Sequence, residues 1–187
     1  MIFISGIHGV GKTFFCNLVK KETGIETYSA SALITQKKHA GFSKDKLISN
    51  IGSNQHYLLQ AVDELKPSGH NFILDGHFCL LDTHGVISRI PLDTFITLKP
   101  EAIILLTEKP EIIAQRRKMR DGVNIPVQSV ESFQQEECAY ANEVAGIVCA
   151  KFYISRGAED LERTITVLVR LRNLSFILTE QKPCCEM

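Results

Sequence analysis

Residues 6–13, near the amino terminus, read G-I-H-G-V-G-K-T and match the phosphate-binding pattern G-x-x-x-x-G-K-[ST] at every defined position. Glycines in such a loop let backbone N–H groups approach phosphate oxygens without a Cβ in the way. In this pattern Lys12 reaches the β- and γ-phosphates of a nucleotide, and the Thr13 hydroxyl ligates Mg²⁺. The loop therefore predicts ATP as a co-substrate and Mg²⁺ as a cofactor. His8 occupies a variable position of the pattern, and we assign it no chemistry.

An aspartate that closes a later apolar run is a second candidate ligand of the metal. Asp75 follows the run F-I-L of residues 72–74, as a Walker-B aspartate does. A carboxylate there would hold Mg²⁺ directly or through a water molecule. The alternative is an aspartate that only caps a turn at the end of a strand. His77 follows two residues later, where it would face the phosphates, an acceptor molecule or solvent.

Three arginines precede a polar loop at residues 121–128. Arg116 and Arg120 are four residues apart and share one face of a predicted helix, with Arg117 beside them. Guanidinium groups would stabilise the charge on the equatorial oxygens of a phosphoryl group during its transfer. The adjacent loop would close as a lid and exclude water. The alternative is a solvated basic helix end that interacts favourably with the helix dipole.

Short apolar runs alternate with amphipathic helical segments, which is typical of a parallel α/β sheet. The runs predict five strands, at residues 2–4, 25–28, 72–75, 103–106 and 151–154. Helices are predicted at residues 12–21, 32–39, 51–65, 110–120, 133–147 and 161–169. We expect residues 76–100 to be mostly loop, because they contain Gly85, Pro91 and Pro100. Residues 174–187 have no clear period and stay unassigned.

The composition favours one globular domain of 187 residues and excludes several functional classes. Lys+Arg and Asp+Glu both total 21, so the net charge is +0, and a nucleic-acid partner is not expected. No apolar run approaches the ~20 residues of a membrane helix. The amino terminus lacks the basic region of a signal peptide. The six cysteines have no C-x-x-C spacing and suit a reducing compartment, so we expect a cytoplasmic protein.

Over about residues 1–170 the chain resembles the nucleoside monophosphate kinases, and most closely the short archaeal-type adenylate kinases. The resemblance rests on several phrases beyond the phosphate loop. These are the triplet Asp75-Gly76-His77, residues 98–106 (L-K-P-E-A-I-I-L-L) running into Glu108, the pair Arg116-Arg117, and the long helix that contains Gln134 and Glu136.

The resemblance implies a single P-loop kinase domain of three α/β/α layers, with a five-stranded parallel sheet of order 2-3-1-4-5. It implies an acceptor-binding arm at about residues 30–66 and a short lid at about residues 117–130. Lys12, Asp75, Arg116 and Arg120 would be catalytic, and Thr13 and Asp75 would hold the metal. The ATP site would comprise Gly9, Val10, Gly11, Lys12, Thr13, Phe14, Arg116, Arg117 and, near the adenine, Gly157.

The acceptor site departs from the family pattern, which usually places an arginine in the arm. Lys46, within the stretch K-D-K-L-I-S-N of residues 44–50, would substitute for that arginine as a point charge without a bidentate fork. Arg89 is a second candidate for the monophosphate. Gln55 would face the acceptor base, and His77 is the fourth acceptor candidate.

The expected activity is transfer of the γ-phosphoryl group of Mg-ATP to AMP or a similar nucleotide. One alternative is a P-loop kinase with a non-nucleotide acceptor, because this fold serves many phosphotransferases. Another is a slow ATPase that acts as a nucleotide-gated partner protein, with a protein docking on residues 174–187 and their Cys184-Cys185 pair. That tail would otherwise pack on its own domain.

Overall fold

The computed structural model describes residues 1–40, 51–65, 71–81, 85–157 and 159–180. Lys46 and residues 181–187, with Cys184 and Cys185, lie outside these ranges, and so do the predictions made for them. Helix α7 (Leu161–Glu180) continues into the segment that the sequence left unassigned. No helix in the described ranges is both long and apolar enough to cross a membrane.

Five parallel strands form the central sheet, as the sequence predicts. They are β1 (Ile2–Ser5), β2 (Thr27–Ser29), β3 (Ile73–Asp75), β6 (Ala102–Thr107) and β7 (Lys151–Arg156). Their order is β2-β3-β1-β6-β7, which is the predicted 2-3-1-4-5 when only the strands of this sheet are counted. The central strands are continuous apolar runs because helices cover both faces of the sheet, and every residue of β1 is buried.

Helices alternate with the strands of the sheet along the chain. They are α1 (Lys12–Thr23), α2 (Ala30–Ala40), α3 (Ile51–Leu65), α4 (Leu92–Leu98), α5 (Pro110–Asp121) and α6 (Val127–Ile147), followed by α7. Proline opens α5, where a missing N–H costs nothing. The predicted lid at residues 117–130 is helical except for residues 122–126, which connect α5 to α6. The lid itself stays a prediction.

Residues 76–100 are not mostly loop, and this prediction was wrong. They form two short antiparallel strands, β4 (Cys79–Leu81) and β5 (Ile87–Arg89), followed by α4. Strands of three residues are too short to show a hydrophobic period, and Pro91 and Pro100 flank α4 rather than interrupt it.

An aromatic cluster attaches this segment to the sheet. The rings of Phe78 and Phe95 stack with centroids 4.5 Å apart, and both meet the ring of Phe3 on β1 edge-on at 5.2 and 5.6 Å. Tyr140 on α6 contacts the same two rings and donates a hydrogen bond from its hydroxyl to the carbonyl oxygen of Ile90. Aromatic pairs of this geometry each add about 0.5–1.5 kcal/mol beyond the area they bury.

Arg89 fastens the end of β5 to the outer face of α6. Its guanidinium donates to Glu136 at 2.7 Å and to Glu143 at 2.9 Å, and it lies 4.6 Å from the centre of the Tyr140 ring. The Arg89 side chain is 45% exposed, so solvent weakens both ion pairs. These contacts pack the hairpin on α6, and the acceptor role of Arg89 stays a prediction.

We therefore expect Arg89→Ala to lower the free energy of unfolding by about 1 kcal/mol, the sum of two exposed ion pairs and one cation–π contact. The KM values for both substrates should stay unchanged. Urea denaturation measures the first effect and steady-state kinetics the second, with Arg163→Ala on α7 as the matched control. If Arg89→Ala left the free energy of unfolding unchanged and raised the acceptor KM, Arg89 would belong to the acceptor site.

Candidate functional site

The phosphate loop follows β1 directly, and two of its glycines have no room for a side chain. Gly6 has φ 147°, and a Cβ there would lie 2.6 Å from the carbonyl oxygen of Leu106. Gly9 has φ 91°, and its Cβ would lie 2.8 Å from Cγ of Arg117. Positive φ and close approach both require glycine at these positions. The loop is therefore packed between β6 and α5, and α1 begins at Lys12.

Lys12 turns back onto the loop. Its ammonium donates to the carbonyl oxygen of Gly6 at 2.6 Å and lies 3.3 Å from Nε2 of His77. Burial lowers the pKa of Lys12, while the carboxylates of Asp75 and Glu137 oppose that shift. The ammonium group lies at the start of α1, where the helix dipole favours anions, and its contact with phosphate oxygens stays a prediction.

Two histidines lie beside Lys12 and are neutral at pH 7. Burial and the neighbouring Lys12 charge lower the pKa of His77 to about 2 and that of His8 to about 4. Their ring centroids are 4.3 Å apart. Because a neutral imidazole has one acceptor nitrogen, His77 can accept from Lys12 through Nε2 when its proton is on Nδ1. His77 Nδ1 is buried and has no hydrogen-bond partner among the described residues.

Asp75 ends β3 and faces the same cavity as Thr13. Burial raises the pKa of Asp75, and the Lys12 ammonium opposes that shift. Its Oδ1 is buried and lacks a hydrogen-bond partner within the described part of the chain. A carboxylate oxygen and a hydroxyl on one cavity suit Mg²⁺, which takes one or two protein ligands and completes its shell with water and phosphate oxygens. Within that part no cluster of three or more His, Cys, Asp or Glu side chains could hold a metal by itself.

Two arginines of α5, Arg116 and Arg117, lie directly against the phosphate loop. Arg116 donates to the carbonyl oxygen of Val10 at 3.0 Å and to Glu108 at 3.2 Å. Arg120 donates twice to Asp121, at 2.7 and 2.8 Å, and with Arg117 lowers the pKa of that carboxyl to about 2. Arg116 and Arg120 line the main cavity together with Lys12.

That main cavity has a volume of about 940 Å³ and lies between the phosphate loop and helices α2 and α3. Its walls include many apolar side chains, such as those of Phe3, Leu58 and Leu98. Gln55 of α3 also lines it and is only 7% exposed, and its Oε1 has no hydrogen-bond partner among the described residues. A buried amide oxygen without a partner is costly unless a ligand or water supplies a donor.

The cavity brings together most of the residues predicted for the site, and the other predicted residues within the described ranges lie elsewhere. It is lined by Gly9, Gly11, Lys12, Thr13, Gln55, Asp75, His77, Arg116 and Arg120. Arg117 lines a separate cavity of about 590 Å³ behind His8. Phe14, 67% exposed, and Gly157, which packs against Glu108, line neither cavity. Val10 meets Arg116 through its carbonyl oxygen, and Arg89 lies on the outside of α6.

Sequence reasoning missed Glu137, which is 0% exposed on α6. Its carboxylate accepts hydrogen bonds from the Ser5 hydroxyl and from the backbone N–H groups of Phe78 and Cys79. A signal was present, because Glu137 falls in the buried series that Phe133 and Tyr140 define on this helix. An acidic residue on the core-facing side of a helix needs buried hydrogen-bond donors, and Glu137 has three of them.

Gln134, one turn earlier on α6, holds the end of β6. Its side-chain amide donates to the carbonyl oxygen of Glu108 at 3.0 Å and accepts from the Glu108 N–H at 3.1 Å. Glu108 in turn accepts from Arg116. Helix α6 therefore positions the end of β1 through Glu137 and the residue after β6 through Gln134.

Known proteins share this sequence pattern and this fold. The profile of a family described as AAA domain matches residues 5–134, more than two thirds of the chain. An adenylate kinase from Thermoplasma acidophilum is 25% identical over 158 residues, which are 83% of this chain and 84% of that one. An adenylate kinase from Pyrobaculum aerophilum is 25% identical over 173 residues, 89% of this chain and 83% of that one.

Two solved structures have a similar fold at low sequence identity. Shikimate kinase from Acinetobacter baumannii has a TM-score of 0.59 and 19% identity, covering 97% of this chain and 94% of that one. A gluconokinase from Sinorhizobium meliloti has a TM-score of 0.53 and 17% identity, covering 97% of both chains. The matched family segment contains the phosphate loop, Asp75 and the α5 arginines on a P-loop α/β sheet. The chain therefore belongs to the AAA domain family, as a P-loop protein of the kinase class.

Proposed function

We propose that the protein transfers the γ-phosphoryl group of Mg-ATP to a nucleoside monophosphate, AMP or a similar nucleotide. The observation that carries the proposal is a single cavity with phosphate-binding groups on one side and a buried amide on the other. Lys12, Thr13 and Arg116 lie on the first side, and Gln55 of α3 lies on the second. The adenylate kinases that match most of the chain support a nucleotide acceptor.

The donor site would work by positioning and charge, without a covalent intermediate. On ATP binding, Lys12 would exchange the carbonyl oxygen of Gly6 for β- and γ-phosphate oxygens. Thr13 and Asp75 would hold Mg²⁺, which neutralises phosphate charge when bound. Arg116 and Arg120 would place guanidinium groups on the equatorial oxygens of the transferred group.

The acceptor would enter between the loop and helices α2 and α3, in the arm expected at residues 30–66. Gln55 would meet a hydrogen-bond donor of the base through Oε1, within the apolar walls that suit a planar ring. His77 and Lys46 complete the predicted acceptor set. The segment at residues 117–130 would close over the phosphates as a lid and keep water from the γ-phosphoryl group.

A non-nucleotide acceptor is the second candidate, and the placement of Arg89 favours it. A monophosphate carries more negative charge than a carboxylate, and Arg89, one of the two cations predicted to hold it, is instead paired with Glu136 and Glu143. A smaller hydroxyl compound with one carboxylate or no charge would place a smaller demand on cations of the acceptor side. A slow ATPase that gates a partner protein is the remaining alternative.

Phosphorus NMR with Mg-ATP separates the three activities. Separate samples contain no acceptor, one of AMP, dAMP, CMP, UMP, GMP and TMP, or a hydroxyl compound such as gluconate or shikimate. We expect fast ADP formation with one or two monophosphates and almost none without an acceptor. Transfer to a hydroxyl compound alone would establish the second candidate, and equal release of ADP and phosphate in every tube would establish an ATPase.

Lys12→Ala should lower kcat/KM for ATP by about 10²- to 10³-fold, because it removes a charged contact to the transferring phosphoryl group. Coupled steady-state assays measure the loss, and circular dichroism verifies the fold. Lys20→Ala is the matched control on the same helix, since Lys20 only pairs with Glu26 at the surface. Near-normal turnover of a folded Lys12→Ala protein would contradict the donor site.

Gln55→Ala should raise the acceptor KM about tenfold, because a lost hydrogen bond to a buried group costs ~1–2 kcal/mol. The ATP KM should change by less than about twofold, since Gln55 lies on the acceptor side. The control is Gln60→Ala on the same helix, where Gln60 is exposed. An equal rise in both KM values would remove Gln55 from base recognition.

A further inference from the structure

The carboxylate of Glu137 lies behind the phosphate site and connects two segments that must meet there. One oxygen accepts from the hydroxyl of Ser5, the last residue of β1. The backbone N–H of Phe78 donates to it at 3.0 Å, and that of Cys79 donates to the second oxygen at 2.6 Å. Ser5 precedes the phosphate loop, and Phe78 follows the Asp75-Gly76-His77 triplet. Glu137 therefore holds both segments from a third element, α6.

Two paths lead from Glu137 to the Lys12 ammonium. In the first, Ser5 is bonded to Gly6, whose carbonyl oxygen accepts from Lys12 at 2.6 Å. In the second, Phe78 is bonded to His77, whose Nε2 lies 3.3 Å from the Lys12 nitrogen. A displacement of either segment would therefore move a group that Lys12 contacts.

We propose that Glu137 is a positioning residue of the phosphotransfer site, which fixes the Asp75-Gly76-His77 triplet against the phosphate loop and thereby places the groups that contact the Lys12 ammonium. The kinetic test of this inference rests on the proposed function, whereas ATP binding tests it independently. Glu137 is buried and does not line the main cavity, so its action passes through Ser5, His77 and Lys12.

Three variants of the full chain test these contacts. Glu137→Gln keeps the length of the side chain but replaces one accepting oxygen by an NH2 group, which cannot accept from a backbone N–H. Glu137→Asp keeps both oxygens and shortens the side chain. Ser5→Ala removes one of the three hydrogen-bond donors. The matched control is Glu136→Gln, which alters the neighbouring glutamate that pairs with Arg89 on the outer face of α6. Each protein is examined for thermal stability, ATP dissociation constant, kcat and KM.

We expect Glu137→Gln to raise the ATP dissociation constant about tenfold and to lower kcat/KM for ATP about 10- to 100-fold, as misplaced catalytic groups do. Glu137→Asp should lower kcat by a similar factor, and Ser5→Ala by a few-fold. Glu136→Gln should stay within about twofold of the wild type in both quantities, because it leaves the site intact.

The split between ATP binding and thermal stability distinguishes this role from a purely structural one. A variant that only destabilises the fold binds ATP like the wild type at temperatures where it is folded. At such a temperature Glu137→Gln should still bind ATP more weakly, because displacing Gly6 and His77 moves two groups that contact the Lys12 ammonium.

The inference is overturned if Glu137→Gln loses thermal stability but, where folded, binds ATP like Glu136→Gln. Glu137 would then be a buried acid of the fold alone. If the wild type phosphorylates no acceptor, the proposed function fails. The ATP dissociation constants of the variants still test the positioning role of Glu137. A tenfold weaker constant in Glu137→Gln supports the positioning role, and an unchanged constant refutes it.

Discussion

Lys12 must keep a positive charge inside the protein while the site waits for a nucleotide, and much of the local structure satisfies that constraint. A buried ammonium needs hydrogen-bond acceptors and nearby negative charge. The carbonyl oxygen of Gly6 and Nε2 of His77 supply the acceptors. Asp75 and Glu137 supply the charge from β3 and α6. These contacts hold the Lys12 ammonium beside the phosphate loop, where phosphate oxygens would replace them under the proposed function.

The long helix α6 is the element that makes this arrangement rigid. Glu137 on its buried face holds the end of β1 and the residues after β3, and Gln134 holds the residue after β6. Its outer face receives Arg89 of the hairpin. The loop itself contributes flexibility through glycine, so the precision of the site must come from such contacts with regular elements.

The main cavity combines two environments that suit two parts of a bisubstrate reaction. Charged groups surround the phosphate loop, where negative charge must be bound and moved. Apolar walls and the buried amide of Gln55 lie towards α2 and α3. An apolar wall strengthens each hydrogen bond made beside it, so under the proposed function the amide of Gln55 would discriminate among acceptors.

The sequence by itself determined the five strands, the phosphate loop, and the positions of Asp75 and the α5 arginines. These features depend on local spacing and on apolar runs, which are visible along the chain, whereas the order of the strands was expected from the resemblance to a family. The tertiary structure decided what distant contacts control. Arg89 has the charge of a phosphate ligand, yet Glu136 and Glu143, 47 and 54 residues away, bind it on the outside of α6. Glu137 meets Ser5 across 132 residues, and no local pattern encodes such a pairing. The hairpin at β4 and β5 escaped detection because three-residue strands acquire their stability from α6 and the aromatic cluster rather than from their own sequence.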